Sequence, residues 1–355
     1  MGSFFHKKVV WIPLVGLVFC GLILTVYFLF FSHQPTSPSP EGTFFNPLND
    51  SGPDPWMTYY DGNYYLAATT WGGPRTGLTM RKAASIAELK NTKPIKIWTD
   101  STPDRSSNYW APEFFLLDGP DGLRWYGYFT GGPKKCCDDQ RIHVIESAGA
   151  DPMGPYTYKG QLKDSQDTRN IDASILQLNG SLYLLFAGRE GEEQRIYIAP
   201  LSDPWTVSGE RALLSAPTYD WEKSVRSINQ GPVALQHDGQ TFIVYSASYC
   251  GSPDYSLGML TYTGGDPMQS DSWSKSPIPV FQGTNEVFSP GHNTFFTSPD
   301  GTQDWIVYHA SDSANGACDL HRTTRIQPFN WNEDGTPNFG TPIPPKVDLP
   351  VPSGE

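Results

Sequence analysis

Gln230-Gly231-Pro232-Val233-Ala234-Leu235-Gln236-His237-Asp238-Gly239-Gln240-Thr241-Phe242-Ile243-Val244-Tyr245 reads as a β-hairpin. A polar residue opens a short apolar run, an Asp-Gly pair supplies the tight turn, and an aromatic and β-branched run returns. Asp-Gly and Asn-Gly between apolar runs are strong hairpin signals, because these residues tolerate the positive φ that such turns need. The same unit recurs along the chain. Its leading residues are Asp54, Glu113, Asp172, Gln230 and His292, spaced 59, 59, 58 and 62 residues apart, and the turn glycines Gly62, Gly122, Gly180, Gly239 and Gly301 keep step with them. A period of about 60 residues accommodates a four-stranded blade with its loops. The chain is therefore predicted to be all-β, a five-bladed β-propeller over residues 44–350, with the first strand of each blade innermost and the five leaders gathered at the axis. A solenoid is the alternative; closure into a ring removes exposed sheet edges and needs no capping units.

Composition agrees. The 34 Gly, 32 Pro and 14% aromatic residues favour many short strands with tight turns over long helices. The best helical window is short, residues 83–89. The formal net charge of −12 excludes a nucleic-acid partner, whose phosphates select a basic surface.

Residues 9–31 form a run of 23 without a charge, about 34 Å long as a helix and enough to cross a bilayer. Lys7 and Lys8 precede it, which predicts a cytoplasmic tail at residues 1–8 and a single-pass type II signal anchor at 9–31. A cleaved signal peptide is the competitor, but its apolar region would be shorter and end at small residues. The Pro/Ser-rich residues 32–43 then read as a stalk that holds the propeller in the lumen of the secretory pathway or outside the cell. Two sequons, Asn49-Asp50-Ser51 and Asn179-Gly180-Ser181, are compatible with a glycoprotein. Outside the apolar run the cysteines are Cys136, Cys137, Cys250 and Cys318. A bridge between adjacent Cys136 and Cys137 is disfavoured on strain, so a Cys250–Cys318 link between neighbouring repeats is expected. No CxxC or HxxxH spacing suggests a metal site.

The leaders carry the chemistry. Asp54 lies between two prolines in Gly52-Pro53-Asp54-Pro55-Trp56, which fix its backbone and remove donors. Alone it would read as a turn residue; in register with four others it reads as catalytic. Asp172 enters an apolar strand and needs a partner, either an arginine or a neighbouring acid that it tunes. Glu113, boxed by Trp110, Pro112 and Phe114, is a core acid or a proton donor with a raised pKa. His292 is a hydrogen-bonded core imidazole or a ligand of an axial cation. Gln230 has an amide that can only hydrogen-bond. Carboxylates around a deep pocket, ringed by Trp56, Trp71, Trp110 and Tyr109, suggest sugar recognition. Glycoside cleavage with inversion needs one acid and one base separated by room for water.

Gly52-Pro53-Asp54-Pro55-Trp56, Trp110-Ala111-Pro112-Glu113, Asn170-Ile171-Asp172-Ala173 and Gly291-His292-Asn293, in this order, resemble glycoside hydrolase family 43, as does Arg322-Thr323-Thr324-Arg325 with the following Phe329-Asn330-Trp331. The details are similar to its exo-acting α-L-arabinofuranosidase branch, with β-xylosides as the alternative substrate. The resemblance implies hydrolysis of plant cell-wall type oligo- or polysaccharides without a required cofactor. It makes Asp54 the general base, Asp172 the group that tunes and orients the acid, and His292 the neighbour of a candidate axial calcium or sodium ion. Trp56, Trp71, Trp110, Glu113 and Arg322 are the candidate substrate contacts. The family's acid is a Glu in an Asn-Glu-Gly-Pro setting, whereas this chain has Asn229-Gln230-Gly231-Pro232. Two functions follow: a glycosidase with weakened or rerouted acid catalysis, Glu222 or Glu113 standing in, and a carbohydrate-binding pseudoenzyme without turnover.

Overall fold

The computed structural model describes residues 42–71 and 76–355. The apolar run at 9–31 and most of the stalk lie outside the described residues. Among those described, no helix is long and apolar enough to cross a membrane.

Each repeat folds into one antiparallel sheet. Blade 1 comprises Trp56–Tyr60, Asn63–Ala67, Leu78–Ala83 and Ile95–Trp98; blade 2 comprises Ser107–Gly119, Gly122–Gly132, Arg141–Ser147 and Tyr156–Gln161. Blade 3 has five strands, Asn170–Leu178, Ser181–Glu190, Glu193–Asp203, Thr206–Val207 and Ala212–Ser215. Blade 4 runs through Asn229–His237, Gln240–Ala247, Ser256–Tyr262 and Trp273–Lys275. Blade 5 runs through Phe288–Thr297, Asp304–Ser311, Thr323–Trp331 and Pro337–Asn338. The turn glycines all take positive φ, from 75° to 84°, as the hairpin reading requires. Among the described residues the one short α-helix, Ile86–Asn91, starts later than expected because Ala83 ends a strand; the Ser85 hydroxyl caps it by accepting the Glu88 N–H.

The ring closes through the first strands. That of blade 1 touches that of blade 2, and so on around to blade 5, whose first strand touches that of blade 1 again. Five apolar clusters fill the five blade-to-blade interfaces, among them Trp56, Phe114 and Trp125 between blades 1 and 2, and Met57, Phe296 and Trp305 between blades 5 and 1. Every blade is contiguous in sequence, so no strand is shared across the closure. Instead Thr43–Phe44 pairs with Leu349–Pro350 as a separate two-stranded clasp, and Asn46 bonds the backbone of Ile326 in both directions.

Two disulfides are present among the described residues. Cys250 bonds Cys318 between blades 4 and 5, as expected. Cys136 bonds Cys137, which corrects the expectation that strain disfavours their pairing: the two lie in an exposed, bent loop.

Candidate active site

The inner strands share a local irregularity that aims side chains at the axis. In blades 2 to 5 the ladder slips between Trp110 and Glu113, Ile171 and Ser174, Gln230 and Val233, and Gly291 and Thr294. The extra residue has positive φ in each: Ala111 (43°), Asp172 (57°), Gly231 (55°) and His292 (50°). Asp54, just ahead of the first strand of blade 1, has φ 52°. Such bulges re-aim a side chain and are frequent beside active sites. The equivalent ring positions are therefore Asp54, Ala111, Asp172, Gly231 and His292. Gln230 sits one residue earlier and Glu113 two residues later.

These bulges open into a cavity of about 440 Å³ lined by Asp54, Asp172, Gln230, His292, Trp71 and Trp110, with Arg322 at its floor. The volume suits one sugar with its linkage. The Asp54 carboxylate is held on every side: Arg322 Nη1 lies 2.7 Å from Oδ1, the Thr69 hydroxyl donates to Oδ2 at 2.6 Å, and the Nδ1 atoms of His292 and His309 stand 3.4 and 3.3 Å from Oδ1. The Asp54 backbone N–H donates to His309 Nδ1 at 3.1 Å. Burial alone would raise the Asp54 pKa, but the Arg322 charge, aided by His292, holds it well below the ordinary carboxylate value. Asp54 is thus held ionised and anchored. His309 is pushed down to about 3 by burial and by the Arg322 charge, so it stays neutral.

Asp172 is buried and raised above the ordinary carboxylate value, first by burial and then by the Asp54 charge, against the opposing pull of His292. Its Oδ2 accepts the Gly231 N–H at 3.2 Å and its own N–H donates to the Thr130 hydroxyl at 3.1 Å. Gly231 is needed there: besides its positive φ, a Cβ would sit 3.0 Å from His292 Nδ1. The Gln230 side chain is clamped, its oxygen accepting from Gln194 Nε2 at 2.9 Å and its nitrogen donating to the Tyr255 hydroxyl at 2.6 Å. Trp71 and Trp110 form an aromatic wall, ring centres 6.5 Å apart, and the buried Trp110 indole N–H has no protein partner.

Several expectations need correction. Trp56 does not line the cavity; the turn at Asp54 and Pro55 sends it into the interface between blades 1 and 2, its ring centre 5.0 Å from Phe114. Tyr109 is likewise wholly buried, its hydroxyl at the backbone of Asp100. Glu113, displaced two residues by its bulge, is buried behind the cavity, where desolvation pushes its carboxyl up to about 8. Glu222 cannot stand in as acid: buried, it is ion-paired to Lys275 at 2.7 Å and accepts from Thr218 N, Tyr219 N, Asn229 and Tyr245, so its pKa, which burial would raise, is lowered. His292 turns its Nδ1 to Asp54, 3.4 Å from Oδ1, beside the Arg322 guanidinium that bonds the same oxygen. No set of three or more His, Cys, Asp or Glu among the described residues is arranged for a metal. The residues missed from sequence are His309, Thr69, Gln194, Arg226 and Tyr255, all from second or third strands or loops where no repeat marks them.

The sequence model of "Glycosyl hydrolases family 43" matches residues 44–337. The chain is 36% identical over 326 residues to an extracellular exo-alpha-(1->5)-L-arabinofuranosidase of Streptomyces avermitilis, covering 88% of this chain and 66% of that protein. It is 35% identical over 288 residues to an enzyme of the same name from Streptomyces chartreusis, covering 79% of this chain and 85% of the other. It thus spans about two thirds of the length of the first of these curated relatives. Among solved structures it is similar to an alpha-L-arabinofuranosidase from Lactobacillus brevis, with a TM-score of 0.77 and 34% identity, covering 86% of this chain and 98% of the other.

Proposed function

This chain belongs to glycosyl hydrolase family 43, and from that membership we propose that it removes arabinofuranosyl units from arabinose-containing glycans by single displacement with inversion. The observation that carries the reading is Asp54, a carboxylate held ionised at the cavity by Arg322 and Thr69. In the proposed step a water attacks the anomeric carbon as Asp54 takes its proton, and the glycosidic bond breaks on the opposite face. Asp172 orients this centre through Gly231, and Trp71 and Trp110 offer apolar faces to the sugar. Gln230 occupies the acid's place and donates a hydrogen bond in lieu of a proton. Losing general acid catalysis raises the barrier by about 3–5 kcal/mol, or 10²–10⁴-fold in rate.

A second reading, sugar binding without turnover, is favoured by the two-sided clamp on Gln230. Arabino- and xylo-oligosaccharides incubated with the full chain decide between them. Released pentose that disappears in Asp54→Asn supports hydrolysis, whereas binding by calorimetry with no release supports the second reading.

The proposed setting is a type II membrane glycoprotein with the propeller lumenal or extracellular. Residues 9–31 and the paired cysteines support it. Protease protection of the propeller in sealed microsomes tests it; digestion without detergent would sink it.

A further inference from the structure

The side-chain chain around Gln230 fixes which of its atoms faces where. Arg169 has donors only, and its Nη1 lies 3.0 Å from Gln194 Oε1. Gln194 must therefore turn its amide nitrogen to Gln230 Oε1, which leaves the Gln230 nitrogen facing Tyr255 at 2.6 Å with a second N–H to give. Tyr255 is fully buried and burial holds its phenol well above the ordinary value, so it keeps its proton. This end of the cavity thus supplies hydrogen bonds and no transferable proton.

Charge points the same way. Among the described residues the only carboxylates lining the cavity are Asp54 and Asp172, whereas Arg169 and Arg226 line it together with Gln230. Arg169 is braced by the Cys137 carbonyl at 2.8 Å and by Gln194. Arg226 is exposed, lies over the Tyr249 ring at 4.7 Å, and has no ion-pair partner among the described residues. A glutamate at 230 would put a carboxyl beside these cations; the amide leaves their positive field for an incoming anion.

We propose that this site acts on arabinofuranosides whose aglycone departs as a weakly basic oxyanion, a carboxylate or an acidic phenolate, with Gln230 and Arg226 receiving the charge. The inference rests on the hydrolytic reading above and names its leaving-group class. Water adds to the anomeric carbon and gives its proton to Asp54. The bond from that carbon to the aglycone oxygen breaks with its electron pair on oxygen, and Asp54 then returns the proton to solvent. The products are arabinose, the aglycone anion and one proton, and no acid is needed.

The test is kcat/KM of the full chain on 1-O-benzoyl-arabinofuranose, 4-nitrophenyl arabinofuranoside, its 2-carboxy derivative and arabinobiose. The expected result is a steep fall with leaving-group basicity, the first three exceeding arabinobiose by about 10²–10⁴-fold, with Gln230→Glu compressing that ratio. Arg226→Met is expected to lower kcat/KM on the carboxy-aryl substrate at least tenfold more than on arabinobiose. The benzoyl and phenyl arms distinguish an ester from a phenolic source. A ratio within tenfold for wild type overturns the inference while leaving hydrolysis standing, as does an Arg226→Met variant that affects all substrates alike. No turnover of any substrate by wild type, with turnover by Gln230→Glu, overturns both.

Discussion

In the proposed mechanism the amide of Gln230 stands where a glutamic acid would complete an acid–base pair, and the pH profile reads that difference. Asp54 titrates below the ordinary carboxylate range and must be ionised to act, so kcat/KM is expected to fall only as pH drops below about 4. Wild type then stays flat through neutral pH, whereas Gln230→Glu gains 10²–10⁴-fold on alkyl arabinosides and adds an alkaline limb. Initial rates across pH 3–9 check both. Glu113 yields a stability prediction of opposite sign. Its carboxyl rises from 4.5 to about 8 on folding, so the native state keeps a proton that the unfolded chain releases. Stability therefore falls as pH climbs from 4.5 to 8, by a few kcal/mol as an order of magnitude. Glu113→Gln is expected to match wild type in Tm at pH 4.5 and to exceed it at pH 8. Asp54, Asp172, Trp71, Trp110 and Arg322 were legible because the repeat, or the resemblance that followed from it, singles them out. His309 was not, since its role exists only once the second strand of blade 5 lies under Asp54.

At the level of the strand, the hairpin turns were readable and the bulges were not. An Asp-Gly or Asn-Gly turn is a local matter of φ, whereas a slipped ladder depends on what the neighbouring blade puts against it. Aligning the repeats on polar leaders therefore placed Glu113 two residues out of register and put Trp56 in the cavity rather than in an interface. Gly231 marks the bulge that sequence overlooked. Gly231→Ala is expected to cost about 1–2 kcal/mol from its φ of 55° and to push His292 from its place 3.4 Å from Asp54. Thermal melts and kcat/KM should both drop; a lowered Tm with intact kcat/KM would show that His292 has not moved. The Cys250–Cys318 link joins two blades across a sequence separation of 68 residues. Replacing both by serine is expected to lose about 4 kcal/mol on the loop-closure account, measurable by urea denaturation.

For the whole molecule, five blades could be counted from the sequence because each is contiguous, but how the ring shuts could not. Nothing local in Thr43–Phe44 announces a pairing with Leu349–Pro350. The same closure joins Asp54 of the first blade to Arg322, His309 and His292 of the last, with Asp54 and Arg322 separated by 268 residues. A nascent chain that has emerged only as far as blade 4 carries Asp54 as an ordinary hydrated side chain, with neither its cation nor its imidazoles. The proposed base is thus complete only once the fifth blade has folded. On that reading an unfinished or unclosed chain would be chemically silent toward sugar, and pentose release would serve as a clock for the final step of folding.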